Sequence, residues 1–385
     1  MSIRYENIRN LGGDLIFGFK SDLGELRVSG KDCQIVALVD RDALDEFGFV
    51  LDNLLRSGKS IAGFTSYECF RSDGRECQDW PYALFVAFDR SEAVVRETIV
   101  EEDDPNARHS LAHVIDDPVS LADFGEKVGT VGNWIAADRR RRRRLTISRK
   151  VVIPGNVAID HTYQRLQPSG LSRAFMFNNG RLRIVGQSPE LLIKGCGACF
   201  ETHKLAGTAA TSSSHSICPE VLKGPMSNSK ELVYEHELSV AATLRSLKRC
   251  GSAVRVETVE REFTGIRHLA TTFRTVVSRN MSLWRILREV APTGSSGERS
   301  GHELLKTLES TERGPYYGLL GFAHPDGSME FAQTLRAIYG CKHGIDDALS
   351  WYAQVGAAIT THSTTKGESD ETRLKLDQIR FCRAD

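Results

Sequence analysis

The chain has 385 residues, 41% hydrophobic and 26% charged, and its 50 basic and 50 acidic side chains give a formal net charge of +0. That length supports one large or two ordinary domains around a substantial core, and the charge balance supplies no global field to draw in nucleic acid or a membrane surface. The opening MSIRYENIRN lacks the apolar stretch of a secretory signal, no run is long enough to span a bilayer, and the nine cysteines have no regular spacing; they read as free thiols of a cytoplasmic, reducing setting.

In chain order, strand character appears first in ALFVAFDR (83–90). Residues 101–123, polar and acidic, read as a surface connection ending in a helix start. The run Arg139 to Arg144 reads either as an anion or RNA patch or as a solvated helix end; without interleaved aromatics the second is preferred. LTISRKVVI (145–153), RLRIVGQS (181–188) and ELLIKG (190–195) follow as strands. Cys196 and Cys199 form a CxxC with no second pair to complete a zinc site, which favours a β-turn over metal or redox work. Residues 209–229, rich in Ser with Pro and Gly, read as a mobile loop. Helical periodicity marks 231–248, 302–312 and 368–380, and AVRVETVEREF (253–263) and LLGFAH (319–324) are further strands. Many strands with interspersed helices and no βαβ alternation predict an α+β fold. There is no internal repeat, no GxGxxG and no Walker loop.

Two acidic helical segments lie far apart. SKELVYEH places Glu231 and Glu235 one turn apart; ESDETRLK places Glu368 and Glu371 on one face, with Lys375 a turn further on. Carboxylate pairs of this kind suit Mg²⁺, a hard octahedral cation that usually keeps several waters. Either segment alone is an ordinary charged helix face.

Six segments in order extend this reading: GFTSYE (63–68); LTISR (145–149); GQSPELLI (186–193) with KLAGT (204–208); SNSKELVYEH (227–236) with IRHLATTFR (266–274); RGPYYGLLGF (313–322) with QTLRAIY (333–339); and VGAAITTHS (355–363) with GESDETRLK (367–375). Together the chain resembles the chorismate-utilising enzymes, which include anthranilate, aminodeoxychorismate, isochorismate and salicylate synthases, and in motif detail it is most similar to the salicylate synthase branch. The resemblance implies one large domain of two antiparallel β-sheets packed together with helices outside, residues 1–120 forming its N-terminal part and 121–385 its chorismate-binding core. It further implies Mg²⁺ as cofactor, chorismate or isochorismate as substrate, a monomer, no nucleic-acid or membrane partner, and a place in siderophore or other secondary-metabolite biosynthesis.

The roles follow from the substrate's chemistry. The C4 hydroxyl is a poor leaving group and needs a general acid. Glu190 matches the family's acid, and its flanks Leu191, Leu192 and Ile193 are compatible with burial; a solvent-facing strand-end glutamate is the alternative. The resemblance assigns Glu235 and Glu371 as direct Mg²⁺ ligands and Glu231 and Glu368 as outer ligands. Here KELVYEH carries one residue more than the family pattern, which turns Glu231 by about 100°. Arg336 matches the arginine that holds the enolpyruvyl carboxylate through its planar fork. Tyr316 and the backbone at Gly356 match its helpers, and Ala357 and Ala358 follow in the same strand. Ala206, Gly207 and Thr208 line the ring, Lys375 matches a lysine near the ring carboxylate, and His268 matches a histidine near the leaving hydroxyl, although a satisfied core histidine fits its pattern as well.

The chain also departs from the family. Water-adding members carry a lysine base before the LSR-type motif, whereas ammonia-using members carry glutamine. Here Arg144 stands there, and with a pKa above about 12 arginine is no ordinary base. Either the register shifts, or another residue such as His203 or Lys204 is the base, or water activation has been abandoned. Ala206 argues against the aminodeoxychorismate route, which attacks with a lysine at that position. Ser296 and Gly297 match a family pair whose following proline-lysine is absent, and Ala209 replaces an arginine. The reading is a Mg²⁺-dependent chorismate-converting lyase or isomerase of salicylate synthase type. An ammonia-using member served by a separate amidotransferase and a non-catalytic chorismate-binding homologue are the alternatives.

Overall fold

The computed structural model describes residues 2–7, 15–22, 24–29, 33–71, 76–90, 93–96, 111–138, 143–168, 172–211, 225–263, 265–278, 281–295, 299–342 and 348–384. Two sheets dominate. The larger has ten strands among the described residues, in the order Ile3–Asn7, Gln34–Leu38, Ala83–Phe88, Ser60–Thr65, Leu319–Ala323, Met329–Gln333, Leu191–Cys196, Cys199–Ala210, Ile266–Val277 and Gly251–Phe263. The smaller has eight, in the order Ala93–Arg96, Gly24–Ser29, Leu15–Ser21, Arg173–Asn178, Leu182–Ser188, Ala337–Cys341, Ser350–Ile359 and Leu145–Ile153. Every neighbouring pair is antiparallel. The strands of the first 96 residues enter both sheets.

Alternation builds the core between the sheets. Phe17 and Phe19 on one strand and Phe175 and Phe177 on its neighbour point to the same face, as a two-residue period requires. They meet Phe64, Val86 and Leu320 of the larger sheet, with Phe64 edge-on to Phe177 at a centroid distance of 5.2 Å. Seven helices are described: α1 (Leu44–Arg56), α2 (Pro118–Ala136), α3 (Ile159–Arg165), α4 (Lys230–Cys250), α5 (Leu283–Val290), α6 (Arg299–Leu308) and α7 (Thr365–Asp377). Helices α1, α4 and α5 cover the outer face of the larger sheet, where Phe47, Leu247 and Trp284 join Phe85, Phe200 and Phe273. Helices α2 and α7 pack on each other and on the strands Leu145–Ile153 and Ser350–Ile359 of the smaller sheet. The expected α+β architecture is the observed one.

Two helix boundaries differ from expectation. The helix expected over 302–312 is Arg299–Leu308, because Glu309, Glu312 and Arg313 turn inward. Glu309 accepts from the Ser148 N–H at 2.6 Å and from Arg313 Nε at 2.7 Å, and Glu312 accepts from the N–H groups of Gln78 and Asp79. The helix expected over 368–380 is Thr365–Asp377, started by Thr364, whose Oγ1 accepts the Gly367 N–H at 3.1 Å. Cys196 and Cys199 face each other across the two-residue turn at Gly197 and Ala198, and both are exposed free thiols. Of the expected connection at 101–123, residues 101–110 lie outside the described residues, and the rest ends in the start of α2 at Pro118; of the expected loop at 209–229, residues 212–224 lie outside them, as do Ser296 and Gly297. Of the arginine run, 139–142 also lie outside them. Arg143 folds over the Trp134 ring at 4.8 Å and donates to the Trp134 carbonyl, and Arg144 is buried.

Candidate active site

A cavity of about 610 Å³ opens where α4, carried by the larger sheet, approaches α7, carried by the smaller. Arg144, Glu190, Ala206, Thr208, Glu235, His268, Tyr316, Arg336, Gly356, Ala357, Glu371 and Lys375 all line it. These residues come from nine separate stretches of chain, and the sheet topology gathers them.

Two chain crossings between the sheets form its base. Glu190 lies between a strand of the smaller sheet, Leu182–Ser188, and one of the larger, Leu191–Cys196; Arg336 lies between Met329–Gln333 and Ala337–Cys341. The crossings bond to each other, the Gln333 N–H donating to the Glu190 carbonyl at 3.0 Å and the Gln187 N–H to the Arg336 carbonyl at 3.2 Å. Glu190 is 5% exposed. Its carboxylate accepts from Lys204 Nζ, and with the Gln333 amide turned nitrogen-inward it also accepts from that group at 3.2 and 3.3 Å. Arg336 holds a left-handed φ of 48°, a conformation a side-chain-bearing residue keeps only where its surroundings enforce it. Its Nε donates to Gln378 Oε1, and burial lowers its pKa to about 10, so it stays cationic at neutral pH.

Tyr316 is buried beside Gly356, and burial pushes its phenol up. A Cβ on Gly356 would lie 3.0 Å from the Tyr316 hydroxyl and 2.3 Å from the Ile147 carbonyl, so glycine is what lets the two strands and the phenol close together. Gly207, with φ +71°, forms the bulge in Cys199–Ala210 and packs against Leu232 of α4. The neighbouring Thr208 Oγ1 donates to Glu371 Oε1 at 3.1 Å. His268 bonds through Nδ1 to the Gly207 carbonyl at 3.2 Å; burial, with Arg336 and Lys375 nearby, lowers its pKa to about 3. The ring is therefore neutral and Nε2 carries a free lone pair.

The four acids separate. Glu235 and Glu371 line the cavity from opposite helices. Removal from water, and then repulsion from Glu371, raises the Glu235 pKa to about 7. Lys375 bridges Glu371 and the Gly356 carbonyl. Glu368 is buried behind them, pushed well up by burial and by Glu371, with its Oε2 unpartnered. Glu231 is exposed and lies outside the cavity, one turn and about 6 Å of helix rise nearer the α4 N-terminus. Among the described residues no three His, Cys, Asp or Glu side chains form a ready metal cage. Two repelling carboxylates with a third held close behind them fit a hard divalent cation that takes its remaining ligands from water and substrate.

Lys204, Leu205, Tyr317, Thr146, Pro189, Leu335 and Ala358 complete the wall. Lys204 stands near Glu190 only because the intervening hairpin brings position 204 back beside 190. Tyr317 sits next to Tyr316 and gave no signal of its own in the sequence. His203 points elsewhere, its Nε2 bonding Glu201 Oε1 at 2.7 Å.

The family described as chorismate binding enzyme matches residues 54–380. The chain belongs to this family. Its relatives include a salicylate synthase of Mycolicibacterium paratuberculosis, 29% identical over 280 residues, 70% of this chain and 59% of that protein. An anthranilate synthase component 1 of Streptomyces coelicolor is 29% identical over 277 residues, 68% of this chain and 52% of that protein. The chain thus spans little more than half the length of these two relatives. The crystal structure of anthranilate synthase component I from Streptococcus pneumoniae superposes with a TM-score of 0.67 at 17% identity, covering 98% of this chain and 91% of that one. The two chains share one fold. No helix among the described residues is long and apolar enough to cross a membrane.

Proposed function

We propose that this chain converts chorismate in a Mg²⁺-dependent reaction of salicylate synthase type. The observation that carries the reading is the division of one cavity into three stations: Arg336 with Tyr316, the buried Glu190, and the pair Glu235 and Glu371. The ring carboxylate faces the acidic pair; Glu235 and Glu371 would hold Mg²⁺ against it, and the cation would supply the charge neutralisation and Lewis acidity that make the ring more electrophilic. The Arg336 guanidinium and the Tyr316 hydroxyl receive the enolpyruvyl carboxylate. Glu190 protonates the departing C4 hydroxyl as water adds at C2, giving isochorismate, and pyruvate then leaves with transfer of the C2 hydrogen to give salicylate. His268, neutral and aimed from the Gly207 bulge, orients the leaving hydroxyl. Lys375 holds Glu371 in place through their ion pair.

Incubation with chorismate and Mg²⁺ and chromatography of the products tests this. Salicylate or isochorismate with pyruvate supports it. Unconsumed chorismate, bound but unchanged in calorimetry, sinks it in favour of a non-catalytic binder. A second reading, an ammonia-using anthranilate synthase-like activity, is favoured by the Streptomyces relative and by an arginine at the base position; a product whose mass changes when ammonium or a partner amidotransferase is added would establish it.

A further inference from the structure

A second cavity of about 570 Å³ lies between α4 and the larger sheet, roofed by the segment from Val290 to Gly294. Small polar side chains on one face of α4, Ser239, Thr243 and Ser246, leave the space open, and Thr202 and Thr293 add hydroxyls. Arg144, Glu190, Lys204 and Tyr317 line both this cavity and the one described above, so the two meet at these four side chains. Arg144 is drawn to the far side, its Nη1 donating to Ser239 Oγ.

We propose that Tyr317 is the proton acceptor for the nucleophile, and that the nucleophile is water entering through this second cavity. The inference rests on the chorismate reading above and supplies the base that Arg144 cannot be. Tyr317 is placed by a left-handed backbone, φ 67°, which its N–H to the Thr334 carbonyl at 3.0 Å helps to hold. Thr146 Oγ1 stands 3.5 Å from its hydroxyl. The groups around it are Arg144, Lys204 and Glu190 at the junction, the Arg313 guanidinium 5.4 Å from its ring centre, and the rings of Tyr316 and Tyr67. Burial pushes the phenols of Tyr67, Tyr163, Tyr316, Tyr339 and Tyr352 upward. Burial opposes ionisation of Tyr317 too, yet Lys204 and Arg144 outweigh it and bring this phenol below its ordinary value. The hydroxyl-lined wall offers water a path to Tyr317.

The step balances. The water oxygen bonds to ring C2, both ring double bonds shift along the path C2–C1–C6–C5–C4, and the C4–O bond breaks with its electron pair on oxygen. Lys204, the ion-pair partner of Glu190, hands it the proton that the leaving hydroxyl takes, and the water proton passes to the Tyr317 phenolate. That proton then returns from Tyr317 to Lys204.

Two measurements on the full chain test this. In an ultraviolet difference titration without substrate, one phenol should ionise ahead of the rest, and that early step should vanish in Tyr317→Phe. With chorismate and Mg²⁺, Tyr317→Phe should lower kcat roughly a hundredfold with KM nearly unchanged and remove one limb of the pH profile. Oxygen-18 water should label the product, and added ammonium should not alter it. No early phenol, or a Tyr317→Phe variant with wild-type kcat and pH profile, overturns the proposal. Wild-type protein that leaves chorismate intact overturns the chorismate reading instead, while the titration still reports on Tyr317.

Discussion

At the scale of single residues, the site is a set of charges that need one another. Glu190→Gln keeps the size of the acid and removes its proton, so turnover should fall by about 10²–10⁴-fold while calorimetry still detects chorismate. The acidic pair makes a prediction free of activity: Mg²⁺ should raise the Tm of the substrate-free protein, and Glu235→Gln with Glu371→Gln should abolish that rise. His268 carries part of the pH dependence, alongside His236, whose pKa burial lowers to about 4. Its folded pKa of about 3 lies below the ordinary 6.5, so its contribution is complete above pH 6.5 and is lost as pH falls towards 3. Stability from urea unfolding should therefore decline less steeply between pH 6.5 and 4 in His268→Gln than in wild type. Position along the chain ranked these side chains unevenly. Glu231 and Glu235 share a helix face by spacing; the extra residue in KELVYEH ranked Glu231 second, and the depth of α4 in the molecule leaves it exposed outside the cavity. The pairing of Lys204 with Glu190 depends on a hairpin register that no local pattern carries.

At the scale of elements, α4 and the Gly207 bulge form one device. The bulge N–H bonds to Glu235, its carbonyl takes His268 Nδ1, and its missing side chain leaves room for Leu232. Gly207→Ala would place a Cβ 3.0 Å from the Leu232 carbonyl on a left-handed backbone. We expect a loss of roughly 1–2 kcal/mol from the conformation alone, with chorismate binding weakened beyond what stability explains. Ser229 caps α4, accepting the Leu232 N–H at 3.3 Å, and Ser229→Ala should cost about 1 kcal/mol in thermal or urea unfolding. Strand runs and long amphipathic helices were legible because their periods are local. Helix ends were less so. Glu309 and Arg313 continue the helical period of 302–312, yet tertiary partners at Ser148 and Thr146 pull them out of the helix.

At the scale of the whole molecule, the two sheets are joined by buried charge as well as by apolar packing. Arg173 of the smaller sheet, 1% exposed, donates through Nε to Glu330 of the larger at 2.7 Å. Arg173→Met would leave Glu330 buried and unpaired, at a cost of roughly 3–5 kcal/mol. We propose that residues 1–120 and 121–385 unfold together, since strands from the first part lie in both sheets. Fluorescence and circular dichroism should then trace one coincident urea transition, shifted to lower urea in the variant. The α+β class and the general site were legible from ordered motifs; which strand neighbours which was not, because pairing between distant strands leaves no periodic mark.

That pairing has a consequence for synthesis on the ribosome. Ser60–Thr65 finds one of its neighbours in Leu319–Ala323, and Leu145–Ile153 pairs with Ser350–Ile359. A nascent chain that has emerged only to residue 300 therefore displays the open edges of two unfinished sheets. The cavity and the partners of these two strands arrive together, with the last quarter of the polypeptide.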